Sequence, residues 1–423
     1  LPDLLIRGGL VLTSDFRAVK ADVAIEGNRI VSVGDVKGNA DVVLDARGKL
    51  VMPGLVNAHT HLSMSLFRGR AEDLPLKQWL EEKIWPVERR LKPEHVYAGA
   101  LLGCLEMIKS GTTCFSDMYF HMEEVAKAVR EAGLRACLSY GIIELGDPKR
   151  RKRELNKALE LLQQRDNRIE VMLGPHAPYT CSDECLLKVK ELADRHQVGI
   201  HMHLSETKDE IQDSIKRTGR PPVLHLEEIG FLSSRVVAAH CVHVSNDEIA
   251  ILAKRGVKVV HNPASNLKLA SGLAPVREML DAGVEVALGT DGPASNNSLD
   301  MFREMRLCAL LQKFRTGDPS RMKAEEVLRM ATVGGARALG LHEIGTIEPG
   351  KKADLIIVNL NSPHLIPVPP SISNIVYSAT GSDVDTVIVD GKILMEERKI
   401  LTLNSEEVME RATKAAADLF DVR

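Results

Sequence analysis

The chain has 423 residues, 44% hydrophobic and 27% charged, and a formal net charge of −3. That balance belongs to a soluble protein with a large core, and charges of both signs interspersed along it give no electrostatic case for nucleic acid or a membrane surface as partner. No apolar run nears the roughly 20 residues that span a bilayer, and Leu1-Pro2-Asp3-Leu4 lacks the basic flank of a signal peptide.

Residues 4–13, 21–34 and 41–49 are β-patterned pieces separated by Gly and Asn-Arg turns. From residue 51 the pattern changes to short β-rich runs alternating with longer helical ones. The predicted strands are 51–59, 112–117, 134–140, 169–175, 198–204, 236–241, 257–261 and 285–290. The predicted helices are 93–109, 122–132, 153–164, 183–195, 207–217, 245–254, 275–282 and 300–312. Within Asp183–Leu192 the apolar residues recur at helical spacing behind an acidic start. Gly133, Gly256 and Gly283 stand where helix C-termini favour glycine.

Eight strand–helix units in tandem predict an α/β fold, a (β/α)8 TIM-type barrel over residues 51–349, with its chemistry at the C-terminal ends of the strands. After the barrel, 353–360 and 384–396 return to the β pattern, and Val389-Asp390-Gly391-Lys392 is a hairpin signal. Residues 1–50 and 350–423 are therefore expected to combine into one small β-sandwich domain, closed by a C-terminal helix over 405–420. No internal repeat or low-complexity tract is visible. Seven cysteines, Cys104, Cys114, Cys137, Cys181, Cys185, Cys241 and Cys308, form no CxxC pair. They read as reduced packing residues of a cytoplasmic protein.

His59-Thr60-His61 ends the first barrel run, and residues two apart on a strand point the same way. Alone, the pair reads equally as two ordinary strand-end histidines. Three more residues tip the balance, because His203, His240 and Asp291 each close their own apolar run, at predicted strands 5, 6 and 8. Three imidazoles and a carboxylate suit Zn²⁺, with Fe²⁺ as the other candidate, and leave a position for water. Such an ion brings the pKa of water near 7 and so supplies a nucleophile. One metal is expected rather than two, since strand 4 offers Pro175-His176 and no bridging lysine.

The chain resembles the amidohydrolase superfamily, in the branch of 5′-methylthioadenosine/S-adenosylhomocysteine deaminases and 5′-deoxyadenosine deaminases. The resemblance runs from Pro53-Gly54-Leu55-Val56-Asn57-Ala58-His59-Thr60-His61 to Gly350-Lys351-Lys352-Ala353-Asp354-Leu355. It passes through Gly174-Pro175-His176-Ala177-Pro178-Tyr179, His203-Leu204-Ser205-Glu206, His261-Asn262-Pro263-Ala264-Ser265-Asn266 and Gly289-Thr290-Asp291-Gly292. It implies that His59, His61, His203 and Asp291 bind the metal, and it separates His203 from its neighbour His201, because only His203 stands three residues before Glu206.

The same resemblance implies a zinc-dependent aminohydrolase that converts the 6-amino group of adenosine-type nucleosides to the inosine analogue and ammonia. Glu206 would protonate ring N1, His240 would orient or help deprotonate the water, and Asp291 would pass the water proton to the departing ammonia. Trp79 and Glu88 match family positions at the nucleoside, Glu88 accepting both ribose hydroxyls. His176 would meet the purine or ribose. S-Adenosylhomocysteine users carry arginines for the amino-acid tail. One of those positions falls at Tyr140, and another within Lys149-Arg150-Arg151-Lys152-Arg153, where Arg151 aligns best. Losing one guanidinium favours small 5′ groups, as in 5′-deoxyadenosine, 5′-methylthioadenosine or adenosine. The resemblance also implies a homo-oligomer, with a tetramer as one form.

Bland readings stand beside these. Without the resemblance, Glu88 is a solvated helix-start glutamate and the 149–153 run a solvated helix start. His95, His121, His196, His225, His342 and His364 read as surface or packing residues. His201, His243 and His261 read as structural, with hydrogen bonding behind a metal ligand as their functional use. The competing functions are a guanine- or cytosine-type deaminase, a hydrolase displacing another group from a heteroaromatic ring, and a non-catalytic scaffold. The scaffold is disfavoured because every ligand and Glu206 are retained. The cytidine-deaminase signature His-x-Glu…Pro-Cys-x-x-Cys is absent.

Overall fold

The computed structural model describes residues 2–367 and 371–421. Leu1, Val422 and Arg423, at the ends of the expected β domain, and residues 368–370 lie outside the described residues. The strands in chain order are β1 (Leu4–Leu12), β2 (Ala18–Glu26), β3 (Arg29–Gly34), β4 (Val42–Asp45), β5 (Lys49–Pro53), β6 (Leu55–Thr60), β7 (Thr112–Tyr119), β8 (Arg135–Ile142) and β9 (Ile169–Pro175). They continue with β10 (Ile200–Leu204), β11 (Val236–His240), β12 (Lys258–His261), β13 (Val286–Leu288), β14 (Leu355–Asn359), β15 (Val384–Val389), β16 (Lys392–Glu396) and β17 (Lys399–Ile400).

Both chain ends build one sheet, in the order β17-β16-β15-β14-β5-β1-β2-β3, with β4 added parallel to β1. Ile6, Val23, Ile25, Val51, Leu355 and Ile388 form its buried face. The expected hairpin is present: Val389 pairs with Lys392, and Asp390 and Gly391 both take positive φ, 52° and 76°. A two-residue loop of that hand matches the twist of its flanking strands.

The predicted single strand 51–59 is two strands. The apolar pattern runs on unbroken across Pro53-Gly54, but β5 ends there in the terminal sheet and β6 begins in the barrel. Gly54 is required at the crossing, since a Cβ there would lie 2.0 Å from the Thr113 hydroxyl oxygen.

The barrel sheet runs β6 to β13 in sequence order, all pairs parallel. Its first and last strands meet through side chains more than backbone. The Asn57 amide donates to Thr290 Oγ1 at 2.7 Å and accepts from Thr290 N at 2.9 Å, and Asp291 N donates to the His59 carbonyl at 3.0 Å. Gly289 allows this approach, because a Cβ there would lie 2.9 Å from both His59 N and His59 O.

Helices cover the barrel outside. The predicted 153–164 helix starts earlier, at Pro148, capped by Asp147, whose side chain accepts from Lys149 N. Short helices missing from the sequence reading fill the loops after the strands, among them Pro222–Glu228, Pro263–Lys268 and Pro293–Asn296. The C-terminal helix Ser405–Phe420 lies against barrel helix Pro93–Lys109: His95 Nε2 stands 2.8 Å from Asp418 Oδ2, and the Phe420 ring packs edge-on against Phe67. All seven cysteines are free and buried. Among the described residues, no helix is long and apolar enough to cross a membrane.

Candidate active site

Five polar side chains converge at the C-terminal mouth of the barrel. His59, fully buried, and His61 come from β6 and the residue after it, His203 from β10, His240 from the end of β11 and Asp291 from the loop after β13. His61 Nε2 lies 3.2 Å from His203 Nε2 and 3.3 Å from Asp291 Oδ1, and His59 Nε2 lies 3.4 Å from Asp291 Oδ1. Ligand atoms about 2.0–2.1 Å from one tetrahedral Zn²⁺ stand roughly 3.3–3.4 Å apart. The observed spacings match that edge length.

The partners behind each ring decide which nitrogen faces the centre. His61 Nδ1 donates to the Met118 carbonyl at 2.6 Å, and His203 Nδ1 to the His176 carbonyl at 2.8 Å. His59 Nδ1 meets His201 Nε2 at 2.8 Å, and His201 Nδ1 lies 3.3 and 3.2 Å from the Ser116 and Ser139 hydroxyls. For His61 and His203 the carbonyl fixes the donor on Nδ1 and leaves the Nε2 lone pair free to bind a cation, and His59 matches them when its Nδ1 donates to His201. His59 Nε2 is buried with no hydrogen-bond partner, as a metal ligand is before the metal is counted. The donor set therefore fits one divalent cation. His201 thus stands directly behind His59, while both ring nitrogens of His261 are buried without a partner.

Asp291 is held from two sides. Its Oδ2 accepts from Ser265 Oγ at 2.6 Å and Ser295 Oγ at 3.0 Å, leaving Oδ1 toward the histidines. Ser265 and Ser295 occupy the same place in two identical tetrapeptides, Pro263-Ala264-Ser265-Asn266 and Pro293-Ala294-Ser295-Asn296, which open the helices after β12 and β13. The two asparagines also work in parallel. Asn266 Oδ1 accepts from His240 Nδ1 at 2.8 Å, and Asn296 donates to the Thr290 carbonyl at 2.6 Å and to Glu304 at 2.8 Å. This repeat was the signal that a reading for metal ligands passed over.

His240 Nε2 faces Glu206 Oε2 at 3.8 Å and Asp291 Oδ2 at 3.9 Å. Burial alone would lower the His240 pKa, but these two carboxylates overcome it and hold the imidazole above its usual value. Burial raises Glu206, which favours its protonated, proton-donating form. Burial lowers His59 to about 4 and His203 well below the ordinary range, keeping both neutral as ligands must be. Ser205, His240 and Asp291 all sit at positive φ (54°, 76° and 61°), a conformation that costs energy and concentrates at functional sites.

These groups open into a cavity with two walls of different origin, one of His61, His176, Glu206, His240 and Asp291 and one of Trp79, Trp85 and Glu88. The second wall comes from residues 76–88, one helical run with a π turn at Trp79–Ile84. Such turns are frequent at functional sites. Trp79 is buried and anchored by its Nε1, which donates to the Ala71 carbonyl at 3.0 Å. Burial raises the Glu88 carboxyl.

Arg151 lies outside the cavity, tied to Glu144 at 3.2 Å and Glu184 at 2.7 Å. Its neighbour Arg150 lines instead a side chamber that continues past Glu88 and also holds Arg89, Tyr140, Glu154 and Lys157. Arg150 Nε is buried with no hydrogen-bond partner. Tyr140, at the place of a family arginine, donates to Glu154 at 2.8 Å.

A (β/α)8 barrel that gathers three Nε2-presenting histidines and an aspartate at one end defines a metal-centred hydrolase. The comparisons place it further. The chain belongs to the amidohydrolase family, whose model matches residues 50–394. It is 51% identical to a 5′-deoxyadenosine deaminase of Methanothermobacter thermautotrophicus, over 99% of this chain and 97% of that one. It is 54% identical to a 5-methylthioadenosine/S-adenosylhomocysteine deaminase of Moorella thermoacetica, over 93% and 94% of the two chains. Among solved structures, an adenosine deaminase from Xanthomonas campestris with bound zinc superposes with a TM-score of 0.96 at 37% identity, covering 100% of this chain and 99% of the other.

Proposed function

We propose that this chain hydrolyses the 6-amino group of adenosine-type nucleosides, with 5′-deoxyadenosine and 5′-methylthioadenosine as its main substrates and one zinc ion per chain. The observation that carries the reading is the placement of Glu206, His240 and Asp291 around one cavity that Glu88 also lines. On this reading the reacting edge of the purine meets the first group and its ribose meets Glu88.

His59, His61, His203 and Asp291 would hold the metal. When bound, it supplies a Lewis acid that brings the pKa of water toward neutrality. The remaining steps belong to the side chains. Glu206, whose carboxyl burial raises, donates its proton to ring N1 and makes C6 electrophilic. Asp291 accepts a proton from the attacking water, and His240, fixed by Asn266, orients that water. Asp291 returns the proton to the amino nitrogen, the C6–N bond breaks and ammonia leaves, and the C6 hydroxyl becomes the carbonyl as its proton passes to Glu206, whose original proton stays on N1. General acid–base help of this kind is worth about 10²–10⁴-fold per group.

Glu88 accepts the ribose hydroxyls, a task suited to two carboxylate oxygens. The side chamber bears on the 5′ substituent. Arg150, Arg89 and Lys157 stand within 4 Å of no carboxylate among the described residues, so a carboxylate-bearing tail as in S-adenosylhomocysteine finds cations there despite Tyr140.

Ultraviolet-monitored turnover by metal-analysed enzyme tests the reading, with adenosine, 5′-deoxyadenosine, 5′-methylthioadenosine, S-adenosylhomocysteine, guanine and cytosine as substrates. Conversion of the nucleosides with about one metal per chain is expected. Turnover of the free bases alone would contradict it.

A further inference from the structure

Thr207-Lys208-Asp209-Glu210 has the form of a helix capping box, in which the third helical residue returns its carboxylate to the N-cap amide. Half of that box forms: the Thr207 hydroxyl accepts from Glu210 N at 3.2 Å. The other half is diverted. The Glu210 carboxylate reaches past Thr207, and its two oxygens accept from Ser205 N at 2.8 Å and Glu206 N at 2.7 Å. One buried carboxylate thus holds two consecutive amides of the turn that carries Glu206.

That turn needs holding. Ser205 adopts φ +54°, which a non-glycine residue keeps only when its surroundings enforce it. The opposite edge is fixed by His243 N, which donates to the Ser205 carbonyl at 2.9 Å, and by Cys241 N, which donates to the Leu204 carbonyl at 2.9 Å. Helix Lys208–Thr218 buries only Glu210 and Ser214, so it docks on the barrel through this carboxylate rather than through an apolar face. Burying a carboxylate costs energy that an apolar anchor would not. It is offset here by two hydrogen bonds from the backbone amides on either side of the Ser205 Cα.

We propose that Glu210 is a positioning residue that sets Glu206 against the ring nitrogen. The proposal rests on the assignment of Glu206 as the ring acid. A proton donor must come within about 2.6–3.2 Å of its acceptor, and a misplacement of about 1 Å costs on the order of 10²-fold. Loss of Glu210 therefore lowers kcat and leaves KM and metal content in place.

A double-mutant cycle on the metal-loaded enzyme with 5′-deoxyadenosine tests it, using Glu206→Gln, Glu210→Ala and the double variant, with metal content measured for each. The expected result is a kcat loss of roughly 10²-fold for Glu210→Ala, at unchanged metal content. In the Glu206→Gln background the same change costs less than about threefold, because the group being positioned is already disabled. Glu210→Asp keeps the charge but shortens the reach by one methylene, and it is expected to fall between wild type and Glu210→Ala. It replaces Glu210→Ala in the cycle if that variant does not fold. Additive losses, metal loss in parallel with activity, or wild-type kcat in both Glu210 variants would overturn the proposal. Full activity of Glu206→Gln alone would instead sink the ring-acid assignment, so the two failures are distinct.

Discussion

The two walls of the cavity are built on different principles. On the metal side the histidines and Asp291 lie at or just after barrel strand ends, and they are held by partners such as Met118 O behind His61 or Ser265 and Ser295 behind Asp291. On the nucleoside side, Glu88 and Trp85 stand on a short helical run with an irregular turn, and the side chamber depends on which face of helix Pro148–Leu161 a given arginine takes. On the proposed function, the first wall fixes the reacting groups and the second bears on the choice of substrate.

Variants can break that contrast. With Asp291 in its proposed roles of ligand and proton carrier, Asp291→Ala is expected to lower kcat by roughly 10²–10⁴-fold and to reduce metal content, read by turnover and metal analysis. With Glu88 at the ribose as proposed, Glu88→Ala loses charged hydrogen bonds worth about 1.5–3 kcal/mol, so kcat/KM for nucleosides is expected to fall about 10–100-fold while metal content stays at the wild-type level. An Asp291 variant with full metal, or a Glu88 variant without it, would show that the walls are not independent.

A finer cut runs through adjacent arginines. Arg150→Ala is expected to lower kcat/KM for S-adenosylhomocysteine by roughly 3–10-fold and leave 5′-deoxyadenosine unchanged, as a partly solvated charge contact does. Arg151→Ala should leave both unchanged, since its partners are Glu144 and Glu184. Equal effects on both substrates would mean that these residues act on the fold.

The smallest effect concerns stability behind the metal wall. Glu304 is fully buried, and burial pushes its carboxyl up to about 8 against the hydrogen bonds from Asn296 and Ala264 N. A raised folded-state pKa means that the folded form holds the proton more tightly. Its stabilisation is complete below about pH 4.5 and is lost as pH rises toward 8. Wild-type Tm should therefore fall by a few degrees more than that of Glu304→Gln between pH 5 and 8. Parallel Tm curves would remove Glu304 as the source.

The metal side was legible because its rules are local. His59 and His61 alternate on one strand, and His203, His240 and Asp291 each end an apolar run. The nucleoside side was not, for identifiable reasons. The helix expected over 153–164 starts at Pro148, since a run of lysines and arginines gives no apolar periodicity to mark its first turn. Successive residues on a helix differ by about 100°, so the choice between Arg150 and Arg151 was beyond reach without that start. The strand break at Pro53-Gly54 was hidden because both sheets want apolar residues. Glu210 had a visible signature, but a capping box does not announce that its carboxylate will serve the preceding turn.

Product analysis in ¹⁸O-labelled water tests the central claim most directly, with metal-analysed enzyme and 5′-deoxyadenosine. The account predicts 5′-deoxyinosine carrying one ¹⁸O at C6 and one ammonia per turnover. Release of free adenine, or no conversion by enzyme holding its full metal, would contradict it.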